Sequence, residues 1–196
     1  MRYLGLGDVG EFPFLDPPST RAVAEGYATL EEIGALVDGR RRRTTERVDG
    51  SGRREDGLTR TGRELARLPL DPRLGRMLLE ARQRKVLGEV LIIVAGLSVM
   101  DPRERPAEKE AAADAAHEKF EDPDSDFLSY LNIWHALREF RKPEGGWWRG
   151  KMRKYCTAGF LSMRRLMEWQ AVVRELGTAL TERSGMRPRP LPDDRR

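Results

Sequence analysis

LTRTGRELARLPLDPRLGRMLLEA, residues 58–81, reads as two helices joined at a rigid corner. Thr59 or Thr61 is placed to cap the first helix, because a threonine oxygen accepts a first-turn amide that has no partner inside the helix. Thr61 and Glu64 also stand at capping-box spacing. Leu65 and Leu68 give this short helix one apolar side. Pro69 cannot donate an intrahelical hydrogen bond and disfavours helical geometry in the residue before it, so the helix is expected to stop near Leu68. Asp71 then caps a second helix whose first position, Pro72, loses nothing by lacking an N–H. Leu74, Met77, Leu78 and Ala81 follow at i, i+3, i+4 and i+7, which is one face of that helix. A small capped unit is thereby fixed at a set angle to a larger helical one.

Upstream, Asp16 followed by Pro17 reads as another cap-and-proline start. Val23, Tyr27, Leu30 and Ile33 recur at helical spacing, and Gly34 is a terminator. Val37 and Leu58 flank a polar loop and are expected to form a small two-stranded wing. Helix, wing and the helix after Thr59 make a winged-helix-like unit over 16–70, with a basic wing loop at 40–57 (RRRRTTERVDGSGRREDG). That loop holds one apolar residue, Val48, and reads either as a nucleic-acid arm or as a tolerated insertion. Before it, residues 12–15 are expected to tack onto the folded body. Gly5, Gly7 and Gly10 fit the dinucleotide fingerprint, but no strand precedes them and prolines follow, so the segment is a lead-in and not a phosphate loop.

Downstream, residues 86–99 are almost wholly apolar and read as the central buried helix of a bundle. Residues 103–122 read as a charged helix, with Phe127, Leu131, Trp134 and Phe140 on the next one. Pro143, Gly145 and Gly146 break it. Met163, Leu166, Trp169, Val173, Leu176 and Leu180 line one face of a long last helix. The fold class is therefore mostly α: the winged-helix-like unit, then a helical bundle over 71–181. The prolines and charges of 182–196 predict a disordered tail.

With 196 residues and 22.4 kDa, the chain has room for one or two small domains. The longest apolar run, 90–95, is far short of the ~20 residues a membrane helix needs. No signal sequence opens the chain, so no membrane partner and a cytoplasmic location are expected. Cys156 is the only cysteine, which excludes an internal disulfide and a cysteine zinc cluster.

The formal net charge of +4 is unevenly spread. Arg40, Arg41, Arg42, Arg43, Arg47, Arg53 and Arg54 face only Glu46 and Asp49 in their stretch. A second basic block runs from Trp148 to Arg174, while residues 99–126 are predominantly acidic. Segregated basic blocks point to a polyanion partner, and the plain alternative is a solvated face. Trp134 and Trp169, at helical spacing, read as core. Trp147 and Trp148 lie in a Gly-rich loop between Lys142, Arg149 and Lys151 and are the better candidates for base stacking.

Other chemistry is weighed and refused. Asp122, Asp124 and Asp126 imitate the start of a calcium loop, but Phe127 replaces its glycine and Ile133 its last glutamate. Capping of the next helix by Asp124 or Ser125 explains the cluster. His117 and His135 have no ligand-spaced neighbours, and His117 on a charged helix is expected to be solvated. The sequence contains no phosphate loop of the G-x-x-x-x-G-K-[ST] kind. No catalytic, cofactor-binding or metal-binding residue is assigned.

The 58–81 stretch resembles the junction of the winged-helix and helical-bundle (ratchet) domains in DEAH-box RNA helicases, the bacterial HrpA type above all. FPFLDPP at 12–18, LSVMDPRERP at 97–106, DSDFLSYLN at 124–132 and FLSMRRLMEWQ at 160–170 carry the same resemblance in family order. The basic wing loop departs from the family pattern. The resemblance implies an accessory C-terminal region that helps to form a single-stranded RNA channel. Residues 1–15 would then lead in from a RecA-like motor domain lying before Met1. ATP and Mg²⁺ would belong to that motor, with no cofactor in this chain, which is expected to be inactive alone. The implied partners are single-stranded RNA, or DNA, and the motor domains of the same helicase. The residues nominated for nucleic acid are Lys151, Arg153, Lys154 and Trp148, then Arg103, Arg105 and Lys109, then Arg40, Arg41, Arg42 and Arg43. Acidic neighbours of Arg103, Arg105 and Lys109 favour a structural role for those three. A free-standing, non-enzymatic module stays open. A DNA-binding regulator would read bases with Arg60, Arg63 and Arg67, and a protein adapter would show a large apolar patch.

Overall fold

In the computed structural model, Asp71 caps the helix that follows the corner. Its carboxylate accepts the N–H of Arg73 at 2.9 Å, and its carbonyl accepts that of Gly75 at 2.9 Å. The structure describes residues 2–6, 8–37, 57–142, 147–185 and 187–188. Eight α-helices occur among them: α1 Thr20–Glu32, α2 Arg60–Leu65, α3 Pro72–Arg84, α4 Leu87–Leu97, α5 Glu110–His117, α6 Asp126–Leu137, α7 Arg149–Ala158 and α8 Met163–Ser184. The described residues contain no β-strand, only isolated bridges, so the fold is mostly α. The chain divides into two compact units, the first Met1–Glu80 joined by Glu182–Gly185 and the second chiefly Ala81–Thr181.

In the first unit, Ser19 and not Asp16 caps α1, through the Ala22 N–H at 3.2 Å. Pro17 and Pro18 lie outside the helix, which moves its start past them. Gly34 ends α1 at φ +72°, a left-handed conformation that side chains resist. Of the two candidate caps for α2, Thr59 is used: its hydroxyl accepts the Gly62 N–H at 3.0 Å and donates to the Gly34 carbonyl at 2.6 Å. Glu64 closes no capping box with Thr61, which lies inside the helix, and instead pairs with Arg60 at 3.2 Å. A Cβ at Gly62 would collide with the Ala35 carbonyl, so only glycine lets α2 approach that backbone. Where the wing is expected to start, the described residues show a single antiparallel bridge, Leu36 to Leu58, and not a two-stranded ribbon. Leu36, Leu65 and Leu68 are buried beside a cavity of about 340 Å³, which Tyr27 and Leu30 also line. The expected tacking of residues 12–15 fails at its end: Phe12 and Phe14 pack on each other at 4.8 Å, but Leu15 is fully exposed.

In the second unit, α4 buries every residue from Leu91 to Gly96 and is the central helix that the apolar run predicts. The Trp169 indole is fully buried and donates to the Ile92 carbonyl at 2.8 Å, which satisfies its one polar atom. Tyr130 and Trp134 pack against the same indole at 5.7 and 5.3 Å. The charged helix expected over 103–122 is shorter than its composition suggests. Pro106 disfavours helix in Arg105, so α5 begins only at Glu110, between short 3-10 turns at Ala107–Lys109 and Glu118–Phe120. Ser125 occupies the cap position of α6 without a side-chain cap bond, and Asp122 accepts the Asp124 N–H at 3.0 Å in a local turn.

Candidate nucleic-acid interface

Within the second unit, helix α7 is anchored by two side chains at i, i+4, Met152 and Cys156, both buried. The rest of the short helix's surface is left outward: Arg149, Lys151, Arg153 and Lys154 are all exposed, with Lys154 opposite the two anchors and Lys151 beside it. No ion pair with a carboxylate engages any of these four among the described residues. Trp148 stands at the N-cap with 45% of its surface exposed. Its N–H donates to the Phe140 carbonyl at 2.8 Å, and Trp147 bridges Arg141, so the two feet of the loop are tied. The Lys142 and Lys151 ammonium groups lie 5.1 and 5.5 Å from the Trp148 ring centroid. Tyr155 flanks the helix between Phe140, at 5.0 Å, and the Lys119 ammonium, at 4.6 Å. Burial, reinforced by the charge of Glu104, pushes the Cys156 thiol up, so this cysteine packs and does not attack.

The basic segment 103–109 is built differently. The Arg103 guanidinium forks onto Asp101, with Nε at 3.0 Å and Nη2 at 2.7 Å from its carboxylate, and lies 5.8 Å from the Tyr130 ring centroid. Arg105 forks onto Asp114 at 2.7 and 2.8 Å and reaches Glu110 at 3.7 Å. Lys109 is exposed, between Glu108 and Glu110. Desolvation works to raise the Asp101 carboxyl, but hydrogen bonds from the Arg103 side chain and backbone, with its charge, hold it below the usual range. Arg105 likewise lowers Asp114. Arg40, Arg41, Arg42 and Arg43 lie outside the described residues.

Two residues that the sequence reading does not place in the site join this region. His117 is buried and its Nε2 lies 3.1 Å from the Phe160 carbonyl, against the expectation that it is solvated. Its signal was the i, i+4 pairing with Ala113, which is also buried, on an otherwise polar helix. Arg165, counted in the basic block, turns inward and donates to the Asp101 carbonyl at 3.0 Å. The arginines a regulator would use are also engaged. Arg60 pairs with Glu64, Arg67 donates to the Tyr3 hydroxyl at 3.2 Å, and Arg63 has a partner as well. Among the described residues, no group of three or more His, Cys, Asp or Glu side chains is placed to hold a metal. No helix among them is long and apolar enough to cross a membrane.

Residues 71–130 match the family model of the helicase associated domain (HA2), ratchet-like. The class of the chain is therefore that of a helicase-associated region. Over 184 residues it is 41% identical to the ATP-dependent RNA helicase HrpA homolog of Haemophilus influenzae, covering 94% of this chain and 13% of that protein. The ATP-dependent RNA helicase HrpA of Escherichia coli is 38% identical over 93% of the chain, and the DExH-box ATP-dependent RNA helicase DExH3 of Arabidopsis thaliana 30% over 94%. The chain spans only 13 to 14% of the length of these relatives. It corresponds to the helicase-associated region of an HrpA-type DEAH-box RNA helicase.

Proposed function

We propose that this chain is the accessory part of an ATP-dependent RNA helicase that helps to line the path of a single strand, gripping phosphates with the exposed face of α7. The observation that carries the reading is the set Arg149, Lys151, Arg153 and Lys154, exposed and unpaired with carboxylates among the described residues, beside the exposed Trp148. Free guanidinium and ammonium groups release counterions when they meet phosphates, and an aromatic face alongside stacks a base without regard to sequence. Arg103 and Arg105, already held by carboxylates, contribute little to such a grip. RecA-like motor domains of the same helicase are the second partner, and ATP and Mg²⁺ act there. The chain alone, in the cytoplasm or in the test tube, turns over no ATP with or without RNA.

The test is fluorescence anisotropy of a short labelled RNA titrated with the chain at several salt concentrations. Log affinity should fall with log salt at about −0.7 per phosphate neutralised on a single strand. Absence of binding even at low salt would leave the basic face merely solvated and the chain a passive structural cap.

A further inference from the structure

Helix α7 has only ten residues, two of them buried, and no side-chain cap at its N-terminus. A helix this short is marginal by itself, so tertiary ties must fix where its exposed face points. The ties lie at its C-terminal end. Gly159 N–H donates to Tyr155 and Leu161 N–H to Cys156, both at 2.9 Å, which closes the helix. Phe160 between them is left-handed, at φ +49°, a conformation that an aromatic residue adopts only when its surroundings impose it.

The surroundings are the segment 101–105 and His117. The Phe160 carbonyl accepts both the Glu104 N–H at 2.8 Å and His117 Nε2 at 3.1 Å. A carbonyl can only accept, so the proton of the neutral imidazole belongs on Nε2. Leu161 bridges Arg103, Ser162 N–H donates to the Pro102 carbonyl at 2.7 Å, and Arg165 holds the Asp101 carbonyl. On the other side of this seam, the Asp101 carboxylate accepts the Arg103 backbone N–H at 2.8 Å as well as its fork.

We propose that Asp101, Arg103 and His117 form a latch on the α7–α8 corner that positions the phosphate-gripping face of α7, and that Arg103 acts on RNA through this latch and not by touching it. The inference rests on the RNA-binding reading of α7. A strand that needs α7 in one place binds with an affinity scaled by the fraction of molecules holding it there. One hydrogen bond of ordinary net strength is equivalent to roughly a two- to tenfold change in such an equilibrium.

Positioning and contact differ in their salt dependence. A positioning residue changes affinity at every salt concentration and leaves the slope alone, whereas a contact residue takes its phosphate out of the slope. Arg103→Lys keeps the charge and loses the fork; His117→Leu loses the donor, and His117→Gln keeps one. By anisotropy on a short labelled RNA, Arg103→Lys and His117→Leu should bind roughly two- to tenfold more weakly with the wild-type slope, and His117→Gln should bind like wild type. Lys151→Ser should instead flatten the slope by about 0.7. Wild-type affinity in Arg103→Lys, or a flattened slope in Arg103→Ser, overturns the latch. If His117→Leu loses its helical circular dichroism, the Arg103 pair decides. If wild-type chain binds no RNA, the reading of α7 fails, and amide hydrogen exchange in the free chain judges the latch alone. Faster exchange of the 153–158 amides in Arg103→Lys then supports it, and unchanged exchange overturns it.

Discussion

Two basic stretches of this chain, 103–109 and 149–154, carry similar side chains and opposite electrostatics. In the first, Arg103 and Arg105 spend their guanidinium forks on Asp101 and Asp114. In the second, Arg149, Lys151, Arg153 and Lys154 stand exposed on a short helix with no carboxylate paired to them among the described residues. The difference teaches that a basic run is a binding surface only where its counter-charges lie elsewhere. A planar guanidinium with a carboxylate at the right spacing already commits its fork and its charge to that carboxylate. Basic side chains one to three residues apart on a helix, with no carboxylate in reach, have made no such commitment.

The largest effect should come from destroying the frame that holds both stretches. Leu91→Asp would bury an unpaired carboxylate in α4, where Leu91 is 4% exposed. That costs several kcal/mol, against a total stability of roughly 5–15 kcal/mol. The variant should lose its cooperative thermal transition and all RNA affinity together. An unchanged melting temperature would show that α4 is not the centre of the unit, and the contrast between the two stretches would lose its structural basis.

The second test opposes the stretches directly. Replacing Lys151, Arg153 and Lys154 with serine should flatten the salt slope of RNA binding by about 2, from three phosphates at about 0.7 each. Replacing Arg105 and Lys109 with serine should leave the slope as it is. Equal flattening in both sets would break the comparison, because carboxylate-held arginines would then be reaching the strand as well.

How much of this could be read from the sequence depends on how far each signal travels along the chain. The Pro69–Asp71–Pro72 corner and the burial of 91–96 rest on neighbours within a turn or two, and they were legible; Lys151, Arg153 and Lys154 were nominated from the basic block alone, without the helix that carries them. Ser19 displaced Asp16 as a cap because two prolines intervene, which local pattern underweights. His117 was misread because its partner, the Phe160 carbonyl, is 43 residues away, and Arg165 because Asp101 is 64 residues away. For Arg103 the sequence showed the nearby acid but not the geometry, and only the fork onto Asp101 decides between solvent and lock. The loop with Arg40, Arg41, Arg42 and Arg43 lies outside the described residues and enters neither side of the comparison.

A smaller effect belongs to Trp148. Its ring, flanked by the Lys142 and Lys151 ammonium groups, offers a stacking face within the proposed phosphate-gripping surface. Trp148→Ala should cost about 1 kcal/mol of RNA affinity, at the low end of base–aromatic stacking, with the salt slope kept. If the loss comes entirely from a flattened slope, the ring serves only to hold its two lysines, and the site reads phosphates alone.

The smallest effect concerns the locked stretch, and it is read as pH dependence of stability. Burial raises the Asp101 carboxyl, but the Arg103 hydrogen bonds and charge outweigh it and hold the folded-state value below the ordinary one. A depressed carboxyl contributes stability that is fully present above its unfolded value of about 3.9 and is lost as pH falls through the folded value. Arg103 stays charged throughout, since Asp101 hydrogen bonds raise its already high value. Asp114 is lowered by Arg105 in the same direction, but it is solvent-exposed, where water and salt screen most of the gain. Urea midpoints at about pH 3 and about pH 6 should therefore separate the two locks. Asp101→Asn should lose stability at the higher pH and show a shallower acid decline than wild type, while Asp114→Asn should track wild type closely. If the two variants behave alike, the Asp101–Arg103 fork is no firmer than an ordinary surface pair. The free face of α7 would then differ from 103–109 in exposure alone and not in having a held counterpart.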